Sequence, residues 1–172
     1  MNNRLNEEFY MQDADSAARA LIGKVLVRRT ESGIMRCVIC ETECYMGEDD
    51  SACHASKGRT ARTSILYMRG GRAYVYLCYG MHSLLNIVSG PEGEPEAVLI
   101  RAVEGAEGPG RLTKMLGIDR AFNGHDAVFS DLIWIEDDGT PVPEYTALPR
   151  IGIDYAAPED RERPWRFTSV RQ

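Results

Sequence analysis

The features that place a protein in a membrane or outside the cell are missing from these 172 residues. No apolar run approaches the roughly 20 residues that a membrane-spanning helix needs. The beginning of the chain, MNNRLNEEFYMQDAD, is polar and acidic and lacks the apolar centre of a signal peptide. The five cysteines are an odd number, which disulfide pairing alone does not use up. We therefore expect a cytoplasmic protein with reduced thiols and no membrane partner.

Internal repeats, low-complexity tracts, linkers and the glycine-rich turn of a dinucleotide-binding unit are also missing. The length and the hydrophobic content of 44% fit one globular domain covering residues 1–172. Short β-branched and aromatic segments follow one another with turn residues between them, and helical segments are few. The predicted fold class is therefore mixed α and β (α+β), a single compact domain around a largely antiparallel sheet.

Local patterns predict the bounds of the elements. A helix is expected over 13–23, capped by Asp13 or Asp15 and closed by Gly23. A second helix is expected over 108–117, between proline and glycine residues that favour its two ends. The predicted strands are 24–30, 35–43, 72–79, 83–89, 97–103, 132–136, 149–154 and 165–170.

Acidic residues are absent from one stretch of an otherwise acidic chain. Residues 51–91 contain no Asp or Glu and carry +5, whereas the remainder carries −11, which together give the net charge of −6. The five cations are Lys57, Arg59, Arg62, Arg69 and Arg72. A basic island on an acidic body is typical of a protein that binds a polyanion such as nucleic acid. Five clustered cations on a solvated surface would give the same pattern.

The segment CVICETECY, residues 37–45, holds three of the five cysteines and has two interpretations. In the first, the metal ligands are Cys37, Cys40, Cys44, Cys53 and His54. Residues three apart on a strand point to opposite faces, however, and no second C-x-x-C pair follows. We therefore expect buried thiols that hold no metal. The pair Cys53-His54 stays open as a ligand pair, because it lies in a predicted polar loop.

In the second interpretation, the alternate residues Glu41, Glu43 and Tyr45 carry the function, because they share one face of a strand. A buried Glu beside a phenol is able to take a proton from water and to raise a rate by about 10²–10⁴. The acidic outer face of a surface strand would have the same spacing. The spacing alone does not decide between catalysis and surface.

Aromatic residues gather on the strand predicted over 72–79 and at its end. Tyr74 and Tyr76 share one face of that strand, and Tyr79 precedes the tight turn Gly80-Met81-His82. A hairpin tip with Tyr and Met is typical of an apolar wedge for the DNA minor groove. An apolar contact beneath a neighbouring loop is the structural alternative.

Four segments, in this order, resemble the alkyladenine (3-methyladenine) DNA glycosylase family. They are ETECYMGEDDSACHASKGRT, AYVYLCYGMHSLLNIV, VLIRAVEG and GPGRLTKMLGI, and the similarity runs from about Ala17 to Asp126. The resemblance implies a curved sheet with a protruding β-hairpin that inserts into the DNA minor groove. It also implies a monofunctional enzyme of base-excision repair, which flips an alkylated purine out of double-stranded DNA and hydrolyses its N-glycosidic bond without a cofactor. We further expect a monomer, associated with the nucleoid in a bacterium.

The resemblance assigns the catalytic roles to Glu43, Arg101 and Ile151. Glu43 would activate the attacking water, while Arg101 and the backbone carbonyl of Ile151 would hold it. The sequence departs from the family at Cys44, where Ala is common, and this side chain is expected to face away from the site. The segment after Arg101 is also shorter and lacks the family's proline, which leaves fewer contacts to DNA.

The flipped base would be held by Tyr45, His54, Tyr76 and Asn86. In the resemblance, the three aromatic rings are stacking walls, the backbone amide of His54 reads the base edge, and Asn86 excludes the exocyclic amine of guanine. Alkylation at N3 or N7 makes the purine a cation, and electron-rich rings favour a cation by about 1–2 kcal/mol. Without a clear general acid in the sequence, we expect better activity on cationic alkylpurines than on hypoxanthine or ethenoadenine.

The remaining expected contacts are with the duplex. Tyr79 would fill the gap that the flipped base leaves, with Met81 beside it. Arg59 and Arg62 would contact phosphates. Exposed aromatic rings and clustered cations also suit a non-catalytic module that binds damaged or single-stranded DNA, and this is the alternative function.

Overall fold

The computed structural model describes residues 3–170, so the predicted single domain of 1–172 extends beyond the described residues at both ends. The helices in this part are Glu7–Tyr10 (α1), Ala14–Leu21 (α2), Pro109–Leu116 (α3) and Pro158–Arg161 (α4). The strands are Val25–Thr30 (β1), Gly33–Tyr45 (β2), Ala73–Cys78 (β3), His82–Ser89 (β4), Glu96–Val103 (β5), Ala106–Glu107 (β6), Ile133–Glu136 (β7), Tyr145–Leu148 (β8) and Arg166–Ser169 (β9). Short 3-10 helices lie at His54–Lys57, Ser64–Tyr67 and Arg120–Phe122. None of the helices described is long and apolar enough to cross a membrane.

The strands form one antiparallel sheet with the order β3-β4-β5-β2-β1-β7. β6 pairs with β5, and the pair β8–β9 joins the sheet through β2. Neighbours in the chain are mostly neighbours in the sheet, as the short turns between predicted strands indicated. The predicted class, mixed α and β around a largely antiparallel sheet, is confirmed.

β2 positions the candidate site, because it belongs to two parts of the sheet. Its first half, up to Val38, pairs with β1, and its second half lies between β5 and β9. Register shifts between Ile39 and Thr42 mark a bulge where the partner changes. A bulge bends a strand and re-aims the side chains beyond it. Glu43 and Tyr45 lie in the part of β2 that follows the bulge.

The main core packs helices against this sheet. The Asp13 carboxylate accepts the backbone N–H of Ser16 at 2.9 Å, which caps α2 as predicted. On the inner side of β2, the Thr42 hydroxyl donates to the carbonyl of Ala18 in α2 at 2.8 Å. Cys44 is fully buried in the same core, so its side chain points away from the candidate site, as expected.

The hairpin β3–β4 ends in a tight turn that lies one or two residues earlier than predicted. Cys78 and His82 face each other across the ladder, and the N–H of Met81 donates to the carbonyl of Cys78 at 3.1 Å. Tyr79 and Gly80 both have positive φ angles, 52° and 66°. This is the conformation of a type I′ turn, which matches the twist of the two strands.

The predicted strand at 149–154 is wrong. Gly152 has a φ of 76°, which does not fit a strand, and the segment makes an irregular turn after β8. The side chain of Arg150 and the amide of Ile151 bond to other segments instead of to a ladder. The other predicted strands and both helices are confirmed with ends shifted by at most two residues, whereas β6 and β8 were not predicted.

Candidate active site

A cavity of about 1000 Å³ opens beside the β3–β4 hairpin and the start of α3. Its walls contain seven of the predicted site residues, which are Tyr45, His54, Tyr76, Tyr79, Asn86, Arg101 and Ile151. These residues come from β2, β3, β4, β5, a 3-10 helix, the β3–β4 turn and the loop after β8, so only the fold brings them together. The cavity is therefore the natural candidate for the active site.

Glu43 lies immediately behind this wall and is fully buried. Its Oε1 accepts the backbone N–H of Ile151 at 2.7 Å, and its Oε2 accepts the hydroxyl of Tyr45 at 2.8 Å. The Arg101 guanidinium lies 3.5 Å from Oε1. This environment excludes a solvated acidic face for Glu43.

Burial raises the pKa of Glu43 above its ordinary value, although Arg101 and the hydrogen bonds from Ile151 and Tyr45 act in the opposite direction. A carboxylate with a raised pKa holds a proton more firmly and is a stronger base than an exposed one. It has about four acceptor positions, so the two hydrogen bonds leave capacity for a water molecule. The arrangement is chemically suited to general-base catalysis.

Glu41 orients Arg101. Its Oε1 accepts one hydrogen bond from Arg101 Nε and one from Arg166 Nη1, each at 3.2 Å. Arg101 is thereby held between the two carboxylates of β2, which lie on the same side of the strand as the spacing predicted. Its position beside Glu43 is fixed by β5 at one end and by Glu41 at the other.

The aromatic rings of the cavity wall touch one another. The ring centroids of His54 and Tyr76 are 4.5 Å apart, with their planes inclined at 63°. A flat ligand would therefore lie against these two rings and not between them. Tyr74 lines the same wall, with its centroid 5.5 Å from that of Tyr76. The sequence placed Tyr74 on the correct face but did not include it in the site.

His54 is neutral in this wall. Its Nδ1 lies 2.8 Å from the hydroxyl of Tyr74. Burial lowers the pKa of His54 to about 4, and the charge of Arg62 acts in the same direction. Nearby, the side chain of Asn86 is buried and its Nδ2 donates to the carbonyl of Tyr74 at 3.2 Å, which fixes the amide at the floor of the cavity.

The tip of the hairpin leaves two apolar side chains in water. Tyr79 is 92% exposed and Met81 is 74% exposed. Neither covers a neighbouring loop, so the structural alternative for this tip does not apply. Large exposed apolar side chains beside a cavity are typical of a surface that meets a partner.

The basic island is weaker than its sequence suggested. Arg69 lies 2.6 Å from Asp126 and 3.2 Å from Glu7, and Arg72 lies 3.3 Å from Asp126. These ion pairs offset two of the five cations with acids from outside residues 51–91. The count of +5 therefore overstates the local charge.

Other cations strengthen the surface around the cavity. Arg59 and Arg62 are exposed, and the guanidinium of Arg62 lies 5.5 Å from the ring centroid of Tyr76. Arg111 and Lys114 of α3 line the cavity directly. The sequence did not single out these two residues, because acidic residues adjoin their segment and only the fold carries α3 to the cavity.

The cysteines do not form a cluster with other ligands. In residues 3–170, no group of three or more His, Cys, Asp or Glu side chains is arranged to hold a metal ion. Cys53 is buried with its Sγ 3.9 Å from the carbonyl of Pro95, whereas His54 faces Tyr74. The two members of this pair are therefore directed to different partners.

A buried ion pair behind the cavity was not predicted at all. The Arg150 guanidinium donates to both carboxylate oxygens of Asp50 at 2.6 and 2.9 Å, and its carbon lies 4.8 Å from the ring centroid of Tyr45. The charge pattern of the sequence did not indicate this pair, because Asp50 lies in a polar loop and Arg150 lies in a segment that was predicted to be a strand.

Comparisons with known proteins identify the family of this chain. The family model described as methylpurine-DNA glycosylase matches residues 8–107 and 104–172. A protein of Methanocella arvoryzae with the provisional name 3-methyladenine DNA glycosylase is 45% identical over 183 residues, which cover 95% of this chain and 90% of that protein. A protein of Psychrobacter cryohalolentis with the same provisional name is 48% identical, over 81% of this chain and 79% of that protein. Another from Borreliella afzelii is 39% identical, over 95% of this chain and 94% of that protein.

The matches extend over nearly the whole chain, including the segment around Ile151. The chain belongs to the methylpurine-DNA glycosylase family.

Proposed function

We propose that the protein is a monofunctional DNA glycosylase that excises alkylated purines, such as 3-methyladenine and 7-methylguanine, from duplex DNA in base-excision repair. Family membership supports the reaction class. The observation that carries the proposal is the fully buried Glu43 carboxylate, held by Tyr45, Ile151 and Arg101 at the wall of an aromatic cavity.

In the proposed reaction, water adds its oxygen to C1′ of the deoxyribose while the N-glycosidic bond breaks. Glu43 takes the proton of the water, and the purine leaves with the bonding electron pair. An N3- or N7-alkylated purine is a cation, so it leaves as a neutral molecule and needs no acid. The negative charge of Glu43 also stabilises the positive charge that develops on the sugar. Arg101 and the backbone at Ile151 position the water.

The flipped base lies against His54 and Tyr76, with Tyr45 as a further wall. Flipping costs a few kcal/mol and less at a damaged pair, so selection begins before chemistry. The aromatic faces favour a cationic base. The buried amide of Asn86 faces the cavity where it would oppose the exocyclic amine of guanine, which would disfavour the normal base. 7-Methylguanine carries the same amine, so it gains only from its charge and is expected to leave more slowly than 3-methyladenine.

The hairpin tip enters the minor groove of the duplex. Tyr79 fills the space of the flipped nucleotide, and Met81 packs beside it. Arg59 and Arg62 bind phosphates on the surface next to the cavity. A single domain acting as a monomer suffices, because one chain supplies every group in this scheme. We expect it in the cytoplasm, at the nucleoid in a bacterial cell, where it would meet its proposed DNA substrate.

A base-release assay tests this function. Purified protein is incubated with methylated genomic DNA, and free purines are separated by chromatography. Release of 3-methyladenine and 7-methylguanine is expected, with slower release of hypoxanthine and ethenoadenine from defined duplexes. Binding to these duplexes without any release of base would instead establish the second candidate, a non-catalytic DNA-binding module, which the exposed Tyr79 and Met81 also suit.

A further inference from the structure

The ion pair between Arg150 and Asp50 lies entirely inside the protein. The two side chains are 0% and 1% exposed, and the guanidinium meets the carboxylate through two hydrogen bonds. Burial alone would lower the pKa of Arg150, but the bond to Asp50 raises it above its ordinary value, so Arg150 stays charged. The bidentate geometry gives it a fixed direction as well as charge.

This pair joins three separate segments. Arg150 Nη1 donates to the carbonyl of Cys44 at the end of β2, at 3.0 Å, and Nη2 donates to the carbonyl of Asp160 in α4, at 3.3 Å. Asp50 also accepts the backbone N–H groups of Met46 and Ala52, at 3.0 and 3.1 Å. The pair therefore holds the loop that leads from β2 to the cavity wall.

Both oxygens of Glu43 depend on groups that Arg150 holds. Ile151 follows Arg150 in the chain, and its amide donates to Oε1. Tyr45, whose ring lies beneath the guanidinium of Arg150, donates its hydroxyl to Oε2. The contact between the guanidinium and the Cys44 carbonyl fixes the backbone of β2 between Glu43 and Tyr45.

We infer that Arg150 and Asp50 are positioning residues for base excision, because their pair holds the Ile151 amide and the Tyr45 ring against the Glu43 carboxylate. This inference rests on the proposed function. Neither residue touches the cavity, so the pair acts through Glu43 and not on the substrate. Stability alone does not require an ion pair here, since apolar side chains of similar volume often serve as well.

The pH dependence of excision reports this positioning. The charged and titratable groups around Glu43 are Glu41 and Tyr45 on β2, Tyr76 on β3, Arg101 on β5, Arg166 on β9, and Arg150 and Tyr155 on the loop after β8. The Ile151 amide and the charge of Arg150 lower the pKa of Glu43. Displacing them raises that pKa, so the acidic limb of the rate profile moves to higher pH.

Two variants and a matched control test the inference. Arg150→Lys keeps the charge but not the fork of donors, and Asp50→Asn keeps the shape but not the charge. The control, Arg161→Lys, makes the same change at an exposed residue of α4. Single-turnover release of 7-methylguanine is measured as a function of pH on protein that is shown to be folded by circular dichroism.

We expect both variants to lose about 10–100-fold in rate, with damaged-DNA affinity within about threefold of the wild type. Arg150→Lys should also shift the acidic limb to higher pH, because the Ile151 amide is displaced. Asp50→Asn is judged by its rate, because the loss of a nearby negative charge acts on the pKa of Glu43 in the opposite direction. The control keeps the wild-type rate and profile. A lower melting temperature with an unchanged rate and an unmoved acidic limb would overturn the inference, because the pair would then be structural only. If Arg150→Lys does not fold, Asp50→Asn decides alone. Wild-type protein that binds lesions but releases no base refutes the proposed function instead.

Discussion

Replacement of Glu43 by Gln isolates the proposed general base from its structural role. Gln has the same shape, and its amide oxygen is able to accept the Ile151 N–H that Oε1 accepts at 2.7 Å. The Tyr45 hydroxyl rotates from donor to acceptor and keeps a bond with the new amide N–H. Arg101 remains bound to Glu41. The cavity should therefore stay intact while its base is lost.

The rate should fall by about 10²–10⁴, which corresponds to about 2.7–5.4 kcal/mol of transition-state stabilisation. The measurement is single-turnover release of 3-methyladenine and 7-methylguanine, with affinity for damaged duplex measured in parallel. Affinity should change by less than about threefold, because Glu43 is covered and does not contact the free base directly. Glu31→Gln, at an exposed turn, serves as the matched control.

The same substitution should stabilise the protein. Burial raises the pKa of Glu43, so the folded chain binds this proton more tightly than the unfolded chain does. Below the ordinary pKa of 4.5 the buried group is protonated and does not destabilise the fold. It lowers the free energy of unfolding as the pH rises through the raised pKa. Glu43→Gln should melt at a higher temperature at pH 7, and the gain should vanish toward pH 4. Excision at the wild-type rate by this variant would refute the assignment of Glu43, and a melting temperature below that of the wild type at pH 7 would refute the account of its burial.

Two further predictions concern the DNA surface. Tyr79→Asn should leave thermal stability unchanged or raise it, because Asn tolerates the φ of 52° better than Tyr. Excision from duplex DNA should fall at least about tenfold, because the variant lacks the wedge side chain. Equal excision by the variant and the wild type would exclude Tyr79 from that role. Affinity for duplex DNA should fall steeply as the salt concentration rises. Arg59→Gln and Arg62→Gln should each reduce the slope of log binding constant against log salt concentration by about 1. An equal reduction by the control Arg161→Gln would show that the effect is not local.

The local patterns were sufficient for most elements of the fold. The cap at Asp13, the strands around the short turns and the aromatic strand β3 follow from propensity and periodicity, and the structure has them where expected. The alternation of Glu41, Glu43 and Tyr45 placed three side chains on one side of β2 correctly. The spacing did not reveal that Glu43 is fully buried, because burial depends on what packs over a strand.

Residues 149–154 show why the other parts of the fold and the site could not be predicted from the sequence. Their sequence, PRIGID, alternates like a strand, but both Nη atoms of Arg150 donate to Asp50, which lies 100 residues away in the chain. No local rule relates these two positions. The neutralisation of Arg69 and Arg72 by Asp126 is a similar case, since the island looked uncompensated only along the sequence. Contacts over long sequence separation decide both outcomes.

The aromatic rings of the cavity favour a cationic lesion. His54 is neutral because burial lowers its pKa to about 4, so it neither repels a cation nor supplies a proton to a neutral leaving group at pH 7. Glu41 pairs with Arg101 and Arg166, and Glu43 lies 3.5 Å from Arg101, so these two carboxylates and two guanidinium groups offset one another. What favours a cationic base is therefore the aromatic faces, which attract positive charge. Selectivity for alkylpurines then follows from the charge of the lesion itself, whereas hypoxanthine, which is neutral, gains neither from the rings nor from an acid.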